Sequence, residues 1–357
     1  MSKKLIKIAL LGAGRVAQHY RSIFDSEVVS GFDIVGVCDI DKKAANKLAV
    51  HWGCKSFSSI DQMLETTEPN LVLVLTPSGS HYQHAYQVLQ AGIHVLVEKP
   101  ATMIAAESYE LIDLAKRRNL MLGVAFQNRL NPAIQSLSRA VKSGRFGKIT
   151  TATIRLRWCR FQDYYNDGWH GTWENDGGVI NQQAIHHVDA LNWLLGPVEA
   201  VCATIENRMN DLEAEDTMVA ILRFKNGALG TIEATTAARP RDFEASLSII
   251  GEKGAAVIGG IGLNHIETWE FIEPEPDDID AHLMYSRDIP NGYGLSHGPL
   301  LQQLINSLQN ASTCAPISVE ESVVTNSLIH ALYHSVETGG WVNIDDNPVS
   351  IKLGKRS

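Results

Sequence analysis

The sequence predicts an α/β protein that opens with a doubly wound parallel sheet. Two observations carry this: short apolar runs alternate with helical stretches from Ile6 to Ala125, and a glycine turn stands directly between the first run and the first helix. At 357 residues the chain is long enough for two domains. The boundary is expected after Phe126, with residues 1–126 as the first domain and 127–357 as the second.

Ile6 to Leu11 reads as a buried strand, and Gly12-Ala13-Gly14-Arg15-Val16-Ala17 follows it at once. A helical stretch comes next, then a second apolar run, Ile34 to Cys38, closed by Asp39. Strand, glycine turn, helix, strand, acid is the order a dinucleotide-binding fold requires. Gly12 permits the tight turn, Gly14 lets backbone approach a pyrophosphate, and Ala17 keeps helix and strand close. The helix start at Arg15 and Val16 offers N–H groups and a positive dipole end to phosphate. Asp39, about 25 positions after Gly14, is placed to accept hydrogen bonds from ribose hydroxyls and to repel a 2′-phosphate, which favours NAD over NADP. Its rival reading is a solvated turn residue, and Asp41 is the better bystander of the two.

The alternation continues. Leu71 to Leu75 is a strand ending in Thr76-Pro77-Ser78, with a helix over 80–91. Ile93 to Val97 is a strand ending in Glu98-Lys99-Pro100, with a helix over 105–118. Met121 to Ala125 ends in Gln127-Asn128-Arg129. Ligands of such sheets bind at the carboxyl ends of the strands, where these polar groups gather.

Composition narrows the class. A net charge of −9 and the lack of any basic run argue against nucleic acid as a partner. Five widely spaced cysteines without a C-x-x-C pair suggest neither a zinc site nor a disulfide framework. The start MSKKLIKIALLGAG runs into the glycine turn without a cleavage region, and no apolar stretch approaches the ~20 residues of a membrane helix. A cytoplasmic protein is the expectation.

Two side chains are candidates for chemistry. Lys99 follows a buried strand, where an ammonium can polarise or deprotonate a hydroxyl; the bland alternative is a surface lysine. In Asp176-Gly177-Gly178-Val179-Ile180-Asn181-Gln182-Gln183-Ala184-Ile185-His186-His187-Val188-Asp189, two glycines lead into an apolar helix expected to end near Gly196-Pro197. Gln182 and His186, four apart, share one face, and Asp189 is placed to orient His186. His187 points about 100° away and reads as structural. His186 has an ordinary pKa close to working pH and suits a general base. A metal would need more ligands than this helix supplies, and none is expected.

Together these features resemble the glucose-fructose oxidoreductase / inositol dehydrogenase / rhizopine catabolism (Gfo/Idh/MocA) family. The likeness rests on the glycine turn with Asp39, Thr76-Pro77 followed by His81, Glu98-Lys99-Pro100, the helix with His186 and Asp189, the later Ser296-His297-Gly298, and the stretch from Ala331 to Gly339. It implies an N-terminal Rossmann domain that binds NAD through Gly12, Gly14, Arg15, Val16, Asp39, Thr76, Pro77, Ser78, His81, Glu98 and Gln127. It also implies a C-terminal α/β domain with a large open, mostly antiparallel sheet that often forms the subunit interface of a homodimer or homotetramer. Strand-like segments near 149–158, 198–208, 216–225, 228–237, 244–251 and 254–259 agree, with a hairpin at Gly251-Glu252-Lys253-Gly254. Lys99 and His186 would serve the reacting hydroxyl, and Glu98 the nicotinamide side of the cofactor. Many relatives carry Asp where this chain has Gln182. An amide takes no proton at neutral pH, so Gln182 would orient a substrate hydroxyl, and Lys99 or His186 would take its proton.

The segment from Arg157 to Trp173 is dense in aromatics and arginines, suited to a sugar ring or base and to pyrophosphate, or else to a loop packing on itself. Its W-x-G-T-W run is similar to the branch near UDP-N-acetylglucosaminuronate 3-dehydrogenases. The expected substrate is therefore a secondary hydroxyl of a sugar or nucleotide sugar, bound by Lys99, Arg129, Arg157, Trp169, Gln182, His186 and His297. The rivals are an inositol or free-sugar dehydrogenase and a non-catalytic NAD-sensing protein. The acidic stretch from Glu267 to Asp280 reads as a solvated excursion.

Overall fold

A computed structural model describes residues 4–355; the first three residues of the start MSKKLIKIALLGAG lie outside them. The chain divides into two compact units, residues 1–126 with 296–323, and residues 127–295 with 324–357. The expected second domain, 127–357, is thus interrupted: residues 296–323 group with the first unit.

In the first unit the expected runs become β1 (Ile6–Leu11), α1 (Arg15–Phe24), β2 (Phe32–Cys38), β4 (Leu71–Val74), α4 (His81–Gln90), β5 (His94–Val97), α5 (Ala105–Arg118) and β6 (Leu122–Val124), and three elements that were not expected, α2 (Lys42–Trp52), β3 (Lys55–Phe57) and α3 (Ile60–Thr67), stand between β2 and β4. Among the described residues six strands form one sheet, ordered β3-β2-β1-β4-β5-β6, and every pairing is parallel. Strands of a parallel sheet are covered on both faces, which is why β4 (Leu-Val-Leu-Val) is buried at all four positions. The order reverses direction between β1 and β4, the switch point at which such sheets bind ligands.

In the second unit α6 (Pro132–Lys142), β7 (Ile149–Arg157), α7 (Val179–Gln182), α8 (Ile185–Leu195), β8 (Val198–Glu206), β9 (Thr217–Phe224), β10 (Leu229–Thr235), β11 (Glu244–Gly251), β12 (Gly254–Gly259), β13 (His265–Phe271) and α9 (Ala281–Tyr285) follow in order. The first unit then adds α10 (His297–Gln309). α11 (Val319–Thr338) crosses the division, and β14 (Val342–Asn343) ends the series. Eight strands, among the described residues, form the second sheet in the order β13-β12-β11-β7-β10-β9-β8-β14. Only β7 with β10 is parallel; the other pairings are antiparallel.

Residues alternate across this sheet. Ile154, Leu156, Ala220, Leu222, Ile232, Leu247 and Ile249 are buried on one face, against which α6 and α8 pack. The other face carries Val219, Ile221, Leu229 and Ile250 in the open, each about half exposed. The expected acidic excursion is half strand: residues 267–271 belong to β13. Beyond it Asp278 takes both ends of a bidentate Arg145 pair and the Trp269 Nε1–H, so it is anchored and not simply solvated. No helix among the described residues is long and apolar enough to cross a membrane.

Candidate active site

The glycine turn of the first unit is built as a cradle. Gly12 has φ +108, and a Cβ there would stand 2.6 Å from the Leu75 carbonyl oxygen at the end of β4. Only glycine fits. A Cβ on Gly14, by contrast, would meet nothing within 4 Å, so this exposed face of the turn is clear for a ligand. Gly14 is the N-cap of α1, and among the described residues no side-chain hydrogen bond caps the helix start beside that space. Arg15 is exposed and Val16 half-buried beside it. Asp39 straps the turn to β2: its carboxylate accepts from Ala13 N at 2.6 Å and Asp41 N at 2.8 Å. Asp41 caps α2 through the amides of Lys43 and Ala44, which fits its reading as a bystander. Ile40, almost wholly exposed next to Asp39, is an apolar side chain that sequence reasoning passed over.

The neighbouring strand ends are bound to one another. Thr76 bonds His84 through its hydroxyl, Pro77 leads into a short 3-10 turn (Ser78–Ser80), and Ser78 is buried. His81 is buried with Nδ1 2.6 Å from the Pro100 carbonyl and Nε2 2.7 Å from the Thr76 carbonyl. Both ring nitrogens are engaged by backbone, so His81, expected beside the cofactor, ties the two strand-end turns together. Burial pushes its pKa down, against the two carbonyls and Glu98, which push it up.

Glu98 is buried, and its carboxylate accepts from Tyr20 OH at 2.9 Å and Lys99 N at 3.2 Å. His297 stands 3.6 Å away. Burial alone would raise the Glu98 pKa, but the hydrogen bond and charge of His297, with Lys99 and Tyr20, outweigh it and hold it down at about 2. His297 also meets His19 at 3.2 Å, and burial with His297 as neighbour lowers His19 to about 4. His297, expected as a substrate ligand, is thus a partner of Glu98 inside the first unit. Tyr20 and His19, whose helical positions gave no signal, complete this cluster. Lys99 itself is half-buried.

In the second unit the helix expected from Val179 onward is broken. α7 ends at Gln182, α8 begins at Ile185, and Ala184 N reaches back to the Val179 carbonyl across the break. Gln182 and His186 therefore lie on separate helical pieces. Gln182 is buried and donates Nε2–H to Asp176 Oδ1 at 2.5 Å; Asp176 Oδ2 accepts from Gly171 N at 2.8 Å. A carboxylate thus stands one hydrogen bond behind the amide. His186 is half-buried, whereas His187 is buried, its ring nitrogens have no hydrogen-bond partner among the described residues, and burial lowers it to about 3. A neutral, structural His187 follows.

Asp189 does not orient His186. It forms a buried bidentate pair with Arg129, both bonds at 2.7 Å, and accepts from Thr325 Oγ1 at 2.9 Å. Two donors of Arg129, expected as a substrate ligand, are engaged by this pair. Arg157 lies on the open face of the sheet, paired with Glu233 and Glu244, and is likewise engaged away from the expected role. Trp169 stacks on His170 with centroids 3.6 Å apart, and His170 bonds Asp167 at 2.6 Å, so much of the aromatic loop packs on itself. Gln127 is buried, and its Oε1 has no hydrogen-bond partner among the described residues.

Two family models match the chain: an oxidoreductase family with an NAD-binding Rossmann fold over residues 6–126, and a GFO/IDH/MocA C-terminal domain over residues 134–257. The chain belongs to the Gfo/Idh/MocA family and is an NAD-binding oxidoreductase of the dehydrogenase class. It is similar to the WlbA dehydrogenase from Bordetella pertussis, solved with NADH and UDP-GlcNAcA: 33% identity, TM-score 0.89, covering 96% of this chain and 99% of that one. It is also similar to a D-glucoside 3-dehydrogenase of Escherichia coli, at 26% identity over 96% of this chain and 99% of the relative. A UDP-N-acetylglucosamine 3-dehydrogenase of Acidithiobacillus ferrooxidans is 32% identical over 38% of this chain and 41% of its own length.

Proposed function

We propose that the protein oxidises, or forms by reduction, a secondary alcohol of a sugar or nucleotide sugar, with C3 of a UDP-sugar as the first candidate. The observation that carries this reading is a contrast of burial. In each unit one member of a titratable neighbour pair is locked away, Glu98 and His187, while the other, Lys99 and His186, keeps part of its side chain in reach of a ligand. The relatives solved with, or named for, nucleotide sugars support the substrate class.

NAD, when bound, supplies the hydride acceptor. The chain's residues do the rest. Asp39 receives the adenosine ribose hydroxyls, and the amides of Arg15 and Val16 face the pyrophosphate. Thr76, Pro77, Ser78, Glu98 and Gln127 border the remainder of the dinucleotide, and Ile40 offers its side chain to an adenine face. Lys99 or His186 takes the hydroxyl proton, while Gln182, its nitrogen committed to Asp176, orients the substrate. Trp169 serves a sugar or base face. The likeness to a D-glucoside 3-dehydrogenase over nearly its whole length favours free glycosides as the second reading.

Absorbance at 340 nm with NAD and a panel of UDP-sugars, glycosides and inositols tests this. Turnover confined to UDP-sugars is expected; no turnover with any of them would sink the proposal and leave a binding protein. We further infer a cytoplasmic homodimer or homotetramer that covers Val219, Ile221, Leu229 and Ile250 on the open sheet face. A monomer by native mass spectrometry would exclude it.

A further inference from the structure

The start of α7 is held by groups that the reaction does not use. The first amides of α7, like those of any α-helix, have no partner within the helix itself. Three successive N–H groups turn elsewhere. Gly178 N donates to Tyr333 OH at 2.9 Å, Val179 N to the Glu215 carbonyl at 2.9 Å, and Ile180 N to Glu215 Oε1 at 3.1 Å. Tyr333 OH in turn donates to Glu215 Oε1 at 3.0 Å, closing a ring of contacts. The fit is tight: a Cβ on Gly178 would lie 2.1 Å from Glu215 Oε2.

Glu215 and Tyr333 are both about 1% exposed, and Oε2 has no hydrogen-bond partner among the described residues. An ionised carboxylate would leave half its charge stranded in that place; a proton on Oε2 replaces this with the smaller cost of one unpaired neutral O–H. The titratable groups facing it are Tyr333 from α11 and Asp176 from the loop before α7. Asp176 is the carboxylate that holds Gln182.

We propose that Glu215 is a positioning residue which, as an uncharged carboxylic acid, clamps the start of α7 and thereby sets Gln182 and the approach to His186. This rests on the reading of Gln182 and His186 as substrate-facing. Burial, reinforced by the charge of Asp176, pushes the Glu215 pKa up to about 8, so the clamp is neutral at working pH and ionises just above it. Ionisation puts a second negative charge beside Asp176 and loosens the ring of bonds.

The test compares wild type, Glu215→Gln and Glu215→Ala in the full chain. Gln mimics the neutral acid, so E215Q should keep most turnover at neutral pH, and the fall in kcat expected of wild type above about pH 8 should be absent from it. E215A should lose kcat by at least about tenfold, more than it changes KM. Infrared difference spectra of wild type against E215Q should show a protonated-carboxyl band at neutral pH. If that band is missing, or if E215Q keeps the wild-type alkaline limb, the inference is overturned. Should no sugar be oxidised at all, the proposed function fails and the positioning role with it, while the band still reports the state of Glu215. A poorly folded E215A leaves E215Q and the spectra to decide.

Discussion

Glu98 and Lys99 are chain neighbours with opposite fates, one sealed against Tyr20 and His297, the other half-buried. Lys99→Ala should lower turnover by about 10²–10⁴-fold yet leave NADH binding, read by fluorescence, near normal; near-normal turnover would remove Lys99 from the chemistry. Asp39→Ala should weaken NAD and narrow its advantage over NADP, and it should also loosen the glycine turn, because the same carboxylate holds Ala13 N. Steady-state kinetics with both cofactors would show this, and an unchanged preference would refute it. Glu98, whose ordinary value of 4.5 is depressed to about 2, contributes stability that is present above 4.5 and lost as pH falls toward 2. The melting-temperature gap between wild type and Glu98→Gln should therefore close across that window; a constant gap would contradict the assignment. At this scale the sequence was half legible. Gly12, Asp39 and Glu98 stand beside strand ends that periodicity reveals. Tyr20, His19, Glu215 and Tyr333 sit inside helices or at a strand's edge, and their roles come from partners tens to hundreds of positions away, which no local spacing encodes.

Strands fared better than the helix that matters most. Each apolar run from Ile6 to Ala125 became a strand within a residue or two, because a strand buried on both faces must be apolar throughout. β3, β13 and β14 escaped notice: β3 is three residues long, β13 mixes polar with apolar residues at the sheet edge, and β14 is two residues long. The break between α7 and α8 was hidden, since Val-Ile-Asn-Gln-Gln-Ala-Ile-His-His keeps helical periodicity across it. What fixes α8 is the buried Arg129–Asp189 pair. Arg129→Ala, leaving Asp189 charged and partnered only by Thr325, should cost about 3–5 kcal/mol in denaturant unfolding. Replacing both residues with apolar ones of similar volume should cost less. Equal losses in single and double variants would show that the pairing is not what stabilises this helix.

At the scale of the molecule, residues 296–323 are the feature that sequence order concealed. They contribute α10, His297 and a backbone bond from Val124 N to the Ile317 carbonyl beside β6. A fragment of residues 1–126 should accordingly melt well below the full chain by circular dichroism and bind NADH weakly, whereas adding 296–323 through a flexible linker should restore much of both. A fragment as stable as the whole would show that this return is ornamental. The consequence reaches into biosynthesis. The partner that keeps Glu98 ionised is residue 297, so a nascent chain leaving the ribosome carries a finished nucleotide-fold topology long before that carboxylate has its imidazole. A chain that stops after the first sheet has the right strands but lacks the imidazole that holds the Glu98 carboxylate in its ionised form.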